Sequence, residues 1–175
     1  MKQLYSNFWL LLILTGCTSA NIVSNKSPDF ENTSNKVFFE IESSLKMTSF
    51  YKNFMNELNL LLTLNDVEST YSINENSSDK IFKYEPSVVI KIRQTSSSRN
   101  SDHFIENPGA TFDLQLFKPQ GENMLWRSTL TLNSYSNINQ AAKTGAKTLM
   151  NKMIDDNIIQ KKNANSQQSL KASYL

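Results

Sequence analysis

The chain has 175 residues, and its 18 basic and 16 acidic side chains leave a formal net charge of +2. These charges are dispersed along the sequence, which excludes the concentrated basic surface of a nucleic-acid-binding protein. About 160 residues follow the apolar N-terminus, enough for one domain with a sizeable core.

The N-terminus has the features of an export signal. Lys2 precedes an apolar run over 8–14, and small residues follow that run. The run is too short to cross a bilayer, which needs about 20 apolar residues in a helix. The only cysteine, Cys17, lies just after it. An unpaired thiol is unusual in an exported protein, because an oxidising compartment favours disulfides.

The stretch Leu14-Thr15-Gly16-Cys17 resembles the lipobox of bacterial lipoproteins. The resemblance implies that the Cys17 thiol is diacylated and that the lipoprotein signal peptidase recognises Leu14, Thr15 and Gly16 and cleaves before Cys17. It also implies acylation of the new amino terminus, and several acyl chains on one residue anchor a protein durably. In such lipoproteins an aspartate after the cysteine is the usual signal for retention in the inner membrane. Because Thr18 stands there, we expect a lipid anchor in the outer membrane with the domain facing the periplasm.

Two other interpretations of the N-terminus are a plain secretory signal and a cytosolic chain with an apolar start. Under the lipobox interpretation, residues 1–16 are the signal peptide. Residues 17–36 are polar without a sustained period, which predicts a lipidated flexible linker. We expect the folded domain over 37–160 and a polar tail over 161–175.

Alternating apolar residues over 37–42 predict a first strand. A helix of about five turns should follow, capped by Ser43 or Ser44 and ending near 65–66. Its apolar residues recur at spacings of three and four: Met47, Phe50, Phe54, Leu58, Leu61 and Leu62. We interpret this stripe as core. Further apolar residues widen the stripe and indicate a second contact, with the other helix or with a partner: Tyr51, Met55, Leu60 and Leu64.

Four more strands are predicted at 70–73, 86–94, 110–117 and 125–132. The last two form a hairpin, since the turn between them contains Pro119 and Gly121. A closing helix capped by Ser136 or Asn137 should run to about 158. Its apolar line contains Gly145, which costs about 1 kcal/mol inside a helix, so the helix should lie close to the sheet there.

The element order β-α-β-β-β-β-α predicts an α+β fold. We expect a single, mostly antiparallel sheet of about four to five strands, with two helices packed on one face. The second half, from the Pro/Gly turn through Leu125-Trp126-Arg127 to the helix that contains Ala141 and Ala142, is similar to small envelope lipoprotein domains. Penicillin-binding-protein activators and curli-secretion lipoproteins are the families concerned. This resemblance implies a domain that binds another envelope component and is not an enzyme.

The sequence contains little that could support catalysis. The only histidine, His103, lies with Asp102 and Glu106 in a polar loop over 95–109, which we interpret as disordered rather than functional. No Cys/His cluster accompanies it, so no metal site is expected. No nucleophile elbow or phosphate-binding loop is present, and no catalytic residue or cofactor is predicted. Asp155 and Asp156, at the end of the closing helix, are expected to face solvent.

Three functional hypotheses follow. The first is a non-catalytic outer-membrane lipoprotein that docks an envelope protein through a sheet edge or the exposed part of the first helix. The second is a carrier of a lipid or another apolar ligand, held between helices and sheet by Phe50, Phe54 and Trp126. The third is a hydrolase that uses the loop around His103.

Overall fold

The computed structural model of the chain describes residues 19–28, 30, 33–43, 47–97, 109–133 and 137–162. In these residues the chain forms the following strands and helices: β1 (Ser19–Lys26), β2 (Lys36–Glu42), α1 (Thr48–Thr63), β3 (Glu68–Ile73), α2 (Ser78–Tyr84), β4 (Val88–Ser97), β5 (Ala110–Phe117), β6 (Met124–Asn133) and α3 (Ile138–Asp155). Among these helices none is both long and apolar enough to cross a membrane.

The strands form one sheet in the order β1-β6-β5-β4-β2-β3. Strands β1, β6, β5 and β4 pair antiparallel with one another, whereas β2 pairs parallel with both β3 and β4. The α+β class and the five predicted strands are confirmed. The sheet has six strands, however, and it is mixed. The parallel pairs arise because helical segments, and not hairpins, connect β2 to β3 and β3 to β4.

The two connections around β2 explain a third helix that the sequence analysis did not predict. α1 carries the chain from β2 to β3, and α2 carries it back past β2 to β4. Such crossovers are almost always right-handed, so a connection that reverses direction along the sheet lies on the opposite face. α2 therefore covers the outer face, where the Tyr84 ring packs on Phe38 of β2 with 6.2 Å between ring centroids.

The inner face of the sheet carries α1 and α3, which pack against each other. The apolar stripe of α1 is confirmed as core: Phe50 stacks on Phe112 of β5 with 5.3 Å between centroids and on Phe54 with 5.7 Å. The residues that widen the stripe divide into two groups. Tyr51 and Met55 are fully buried, whereas Leu60 and Leu64 are 58% and 52% exposed.

Strand β1 corrects the prediction of a flexible linker over 17–36. β1 pairs with β6 along its whole length, from Ser19 opposite Asn133 to Lys26 opposite Trp126. Of its side chains that face α3, only Ala20 and Ile22 are apolar, and both pack against the core. The positions that continue this alternation, Ser24 and Lys26, are polar. The pairing therefore needs polar partners on the helical side.

Asp156, at the end of α3, supplies those partners. Its carboxylate accepts hydrogen bonds from Ser24 Oγ at 2.5 Å and from Trp126 Nε1 at 2.7 Å. Lys152 Nζ lies 3.0 Å from the other carboxylate oxygen. Lys26 Nζ donates to the Asp156 carbonyl oxygen, also at 3.0 Å. One residue thus connects β1, β6 and α3.

The expectation that both aspartates face solvent holds for Asp155 and is wrong for Asp156, whose side chain is only 15% exposed. Burial raises the pKa of the Asp156 carboxyl. The hydrogen bonds from Ser24, Trp126 and Lys152 outweigh that effect, so this pKa lies below its ordinary value.

α3 begins at a predicted cap, since the Asn137 side chain accepts hydrogen bonds from the backbone of Asn139 at 2.8 Å and of Gln140 at 3.3 Å. The interpretation of Gly145 is also confirmed. A Cβ atom at this position would lie 3.2 Å from Leu132 Cδ2 on β6 and 3.4 Å from the Phe54 ring on α1.

We expect Gly145→Leu to lower the free energy of unfolding by about 1–3 kcal/mol, because a large side chain cannot fit between the helix and the sheet. Lys147→Leu, at an exposed position of the same helix, should change it by less than about 0.5 kcal/mol. Urea unfolding followed by circular dichroism measures both. Equal stability of Gly145→Leu and the wild type would contradict the close approach.

The Asp156 cluster predicts a pH dependence of stability. Because the folded-state pKa lies below the unfolded value of about 3.9, ionised Asp156 stabilises the fold above that value. This contribution is lost as the pH falls through the folded-state pKa. We therefore expect Asp156→Asn to be less stable than the wild type near neutral pH and to lose less of its remaining stability on acidification.

Denaturant titrations between about pH 6 and pH 3 would measure this difference. Asp155→Asn is the matched control, since this neighbouring carboxylate is exposed. Its profile should follow that of the wild type. If the unfolding free energies of the wild type and Asp156→Asn changed in parallel with pH, this would contradict a stabilising role for ionised Asp156.

Candidate functional site

The predicted lipidation site lies outside the described residues, as do the predicted signal-peptidase residues: Leu14, Thr15, Gly16 and Cys17. Lipidation therefore stays a prediction. What the structure describes is the chain that follows it. Strand β1 begins at Ser19, so the sheet starts two positions after Cys17.

His103, Asp102 and Glu106 also lie outside the described residues, in the connection between β4 and β5. The predicted loop over 95–109 is shorter than expected, because β4 extends to Ser97 and β5 begins at Ala110. Within the described parts of the chain, no group of three or more His, Cys, Asp or Glu side chains is arranged to hold a metal ion.

The three residues proposed to hold an apolar ligand are part of the core. Phe50 and Phe54 are 3% and 2% exposed and stack on each other. Trp126 is 1% exposed, and its indole nitrogen donates to Asp156. Their surfaces are used in packing the helices onto the sheet.

A surface groove of about 730 Å³ lies between α2 and the turn that joins β5 to β6. Its apolar lining includes Ile81 and Phe82 of α2, Pro86 after the helix, and Pro119 of the turn. Phe82 is 81% exposed, more than any other large hydrophobic residue that the structure describes. An exposed aromatic ring beside an apolar groove is typical of a surface that binds another protein.

The position of Phe82 follows from the contacts that hold α2 on the sheet. Ser77, just before the helix, donates a hydrogen bond to the Glu40 carboxylate of β2. At the other end of α2, Lys36 Nζ lies 4.6 Å from the centroid of the Tyr84 ring. Residues two positions apart on a helix point in roughly opposite directions. With Tyr84 turned toward the sheet, Phe82 is turned toward solvent.

The residue that follows α2, at the end of the groove wall, has a left-handed backbone conformation. Glu85 has φ 51° and closes α2, and its backbone N–H donates to the Ile81 carbonyl at 2.9 Å. A non-glycine residue in this conformation costs about 1–2 kcal/mol. The turn lets the chain pass through Pro86 and Ser87 into β4, which begins at Val88.

On the outer face of the sheet, β5 and β6 carry a cluster of polar side chains. Arg127 Nε lies 2.8 Å from the Asp113 carboxylate, which also accepts a hydrogen bond from Gln115 at 2.6 Å. The hydrogen bond and the negative charge of Asp113 raise the pKa of Arg127. Because these groups satisfy one another on adjacent strands, we interpret them as sheet-stabilising contacts.

Two other surfaces correspond to the docking modes expected from the sequence. β1 and β3 are the edges of the sheet. Leu60 and Leu64 form the exposed apolar part of α1. They lie on the helical face, whereas the groove lies on the outer face.

No family model and no curated protein matches the chain. A structure of a point variant of the PelC dodecamer from Paraburkholderia phytofirmans aligns with a TM-score of 0.55 and 13% identity, covering 75% of this chain and 96% of that chain. A second PelC dodecamer structure aligns with a TM-score of 0.54 and 11% identity, covering 81% and 99%. Lipoprotein GNA1162 from Neisseria meningitidis aligns with a TM-score of only 0.42 and 10% identity, covering 69% and 98%. The chain is therefore similar in fold to PelC.

Proposed function

We propose that the chain is a non-catalytic outer-membrane lipoprotein whose domain faces the periplasm. It acts as an accessory or binding module for an envelope protein or assembly. The observation that carries the proposal is the lipobox at 14–17, which ends in the only cysteine of the chain. The short apolar run before it supports export, and acylation of Cys17 accounts for the unpaired thiol.

The binding role is assigned to the groove between α2 and the β5–β6 turn. Phe82 supports this assignment, since its ring is 81% exposed on a helix whose Tyr84 ring packs on Phe38 of the sheet. PelC, which has a similar fold, forms a dodecamer. That similarity supports a role within an assembly. The carrier hypothesis has weaker support, because Phe50, Phe54 and Trp126 are packed in the core.

Growth with labelled palmitate tests the anchor. We expect the wild-type chain to be labelled and Cys17→Ser to lose the label and remain uncleaved, since the thiol is the acceptor of the first acyl groups. An unlabelled wild type, or undiminished label in Cys17→Ser, would contradict the proposal.

Photo-crosslinking in cells tests the groove. A crosslinking residue at Gln120, which lines the groove, should capture one discrete envelope protein. Phe82→Asp should reduce capture at least about tenfold, because burying an unpaired charge costs more than the 1.4 kcal/mol that a tenfold change in affinity represents.

Leu60→Asp is the matched control, since Leu60 is an exposed apolar residue of the helix on the other face. It should leave capture unchanged. Recovery of only abundant porins at background level, or equal loss in both variants, would contradict docking in the groove. A ladder of crosslinked copies of this chain would identify the partner as the chain itself and the groove as a contact between subunits.

A further inference from the structure

Strand β1 puts the predicted lipid attachment point beside one end of the sheet. Only Thr18 separates Cys17 from Ser19, the first residue of β1. Consecutive Cα atoms are 3.8 Å apart, so the Cα atom of Cys17 lies within about 7.6 Å of that of Ser19. Ser19 is already paired with Asn133, whose side chain donates to Ser19 Oγ at 3.4 Å. There is no long linker between the acyl chains and the fold.

Several elements begin or end at this end of the sheet, which we call the anchor end. β6 ends there at Asn133, and α3 begins directly afterwards at Ile138. β4 ends and β5 begins there too, since Ala110 lies opposite both Ser97 and Leu132. β2 runs toward the same end and is followed by α1, but its last residue, Glu42, lies level with Val23, four residues from Ser19. A hydrogen bond of 2.7 Å from Asn53 of α1 to Asn139 of α3 links the N-terminal parts of the two helices.

We propose that the anchor end is the surface with which the domain contacts the lipid bilayer. This inference rests on the proposed acylation of Cys17. An acylated Cys17 lies at the boundary between headgroups and acyl chains, and the short connection then brings Ser19 and its neighbours into the headgroup region. The domain is therefore held against the membrane in one orientation.

The described side chains at the end of β6 and the start of α3 suit that environment. Ile138 is 46% exposed although it is a large apolar residue, and its exposed neighbours Asn133, Asn137 and Asn139 are uncharged. Contact with headgroups buries Ile138 without removing a charge from water. α1 and α3 also direct their positive N-terminal dipoles toward this end, where lipid phosphates carry negative charge.

The charged residue Glu42 does not oppose this contact. It ends β2, which is four strands away from β1 in the sheet. At about 4.8 Å per strand, Glu42 lies about 19 Å across the sheet from β1. It is also four residues further along the strands than Ser19. Among the described residues, the contact corner is therefore formed by the start of β1, the end of β6, the adjoining start of β5 and end of β4, and the start of α3.

The same orientation determines where the groove lies. The eight residues of β1 extend about 26 Å at about 3.3 Å per residue, and the turn over 118–123 lies at the far end of the strands. The groove with Phe82 is thus presented to the periplasm, away from the bilayer. A partner can reach it without displacing lipid.

Tryptophan quenching by brominated lipid tests the orientation. Removal of the signal peptide removes Trp9 and leaves Trp126, which is buried at the far end and supplies a constant background. The acylated full chain is bound to vesicles of phosphatidylethanolamine and phosphatidylglycerol that carry bromine on the acyl chains. Tryptophan is introduced at three exposed positions of increasing distance from the anchor end: Ile138→Trp, Val23→Trp and Phe82→Trp.

We expect bromolipid to remove most of the added emission of Ile138→Trp, a small part of that of Val23→Trp, and none of that of Phe82→Trp. Asn133→Trp, at an exposed position of β6, repeats the first measurement without altering α3. Equal quenching at all positions of vesicle-bound protein, or strongest quenching at Phe82, would overturn this inference alone. Failure of the purified chain to float with vesicles would overturn the proposed acylation and this inference with it.

Discussion

The hydrogen bonds that the Asp156 carboxylate accepts allow the N-terminal strand β1 to pair with the sheet. β1 has only Ala20 and Ile22 to bury, and its next two inward positions, Ser24 and Lys26, are polar. Unpaired, those groups would make the strand unfavourable, because buried polar atoms need partners. With Asp156 present, a weakly apolar segment becomes the edge of the sheet. The position of the predicted lipid attachment point relative to the sheet depends on this pairing.

Strands and helices could be predicted where the spacing of apolar residues along the sequence matches the spacing of buried positions in the structure. β5 has the predicted bounds, β6 differs by one residue at each end, and the spacing of apolar residues identified α1 and α3 as core helices. β1 could not be predicted in this way, because its polar inward positions are satisfied by a residue 130 or more positions later. Local pattern carries no information on such a partner.

The sequence does indicate the parallel pairing of β2, but through continuous apolar runs and not through the alternation of apolar and polar residues. Phe38 and Val89 are buried on the outer face, so the apolar runs at 37–39 and 88–90 are continuous. Continuous apolar runs are typical of strands covered on both faces, as in parallel sheets with helical crossovers. α2 could not be predicted from burial, because none of its residues is buried and its large apolar residue Phe82 points away from the sheet.

The candidate site also has one part that a local sequence motif predicts and one part that only the folded structure brings together. The predicted lipobox is a contiguous stretch, so four residues are enough for the resemblance to be seen, and lipidation stays a prediction. The groove joins Phe82 to Pro119, residues far apart in sequence that the sheet brings together, so no local pattern predicts it. Phe50, Phe54 and Trp126 were correct as inward-facing residues, but inward positions alone do not distinguish a ligand pocket from a packed core.

If Cys17 is acylated as proposed, the closeness of β1 to it also bears on the order of maturation. Processing would then act two residues before Ser19, which in the finished fold is paired with Asn133. On this route β1 is the last strand to join, and until then β6 is an open edge able to pair with other chains. The proposed processing and the completion of the sheet would then be coupled, because delay in one would prolong the exposure of the β6 edge.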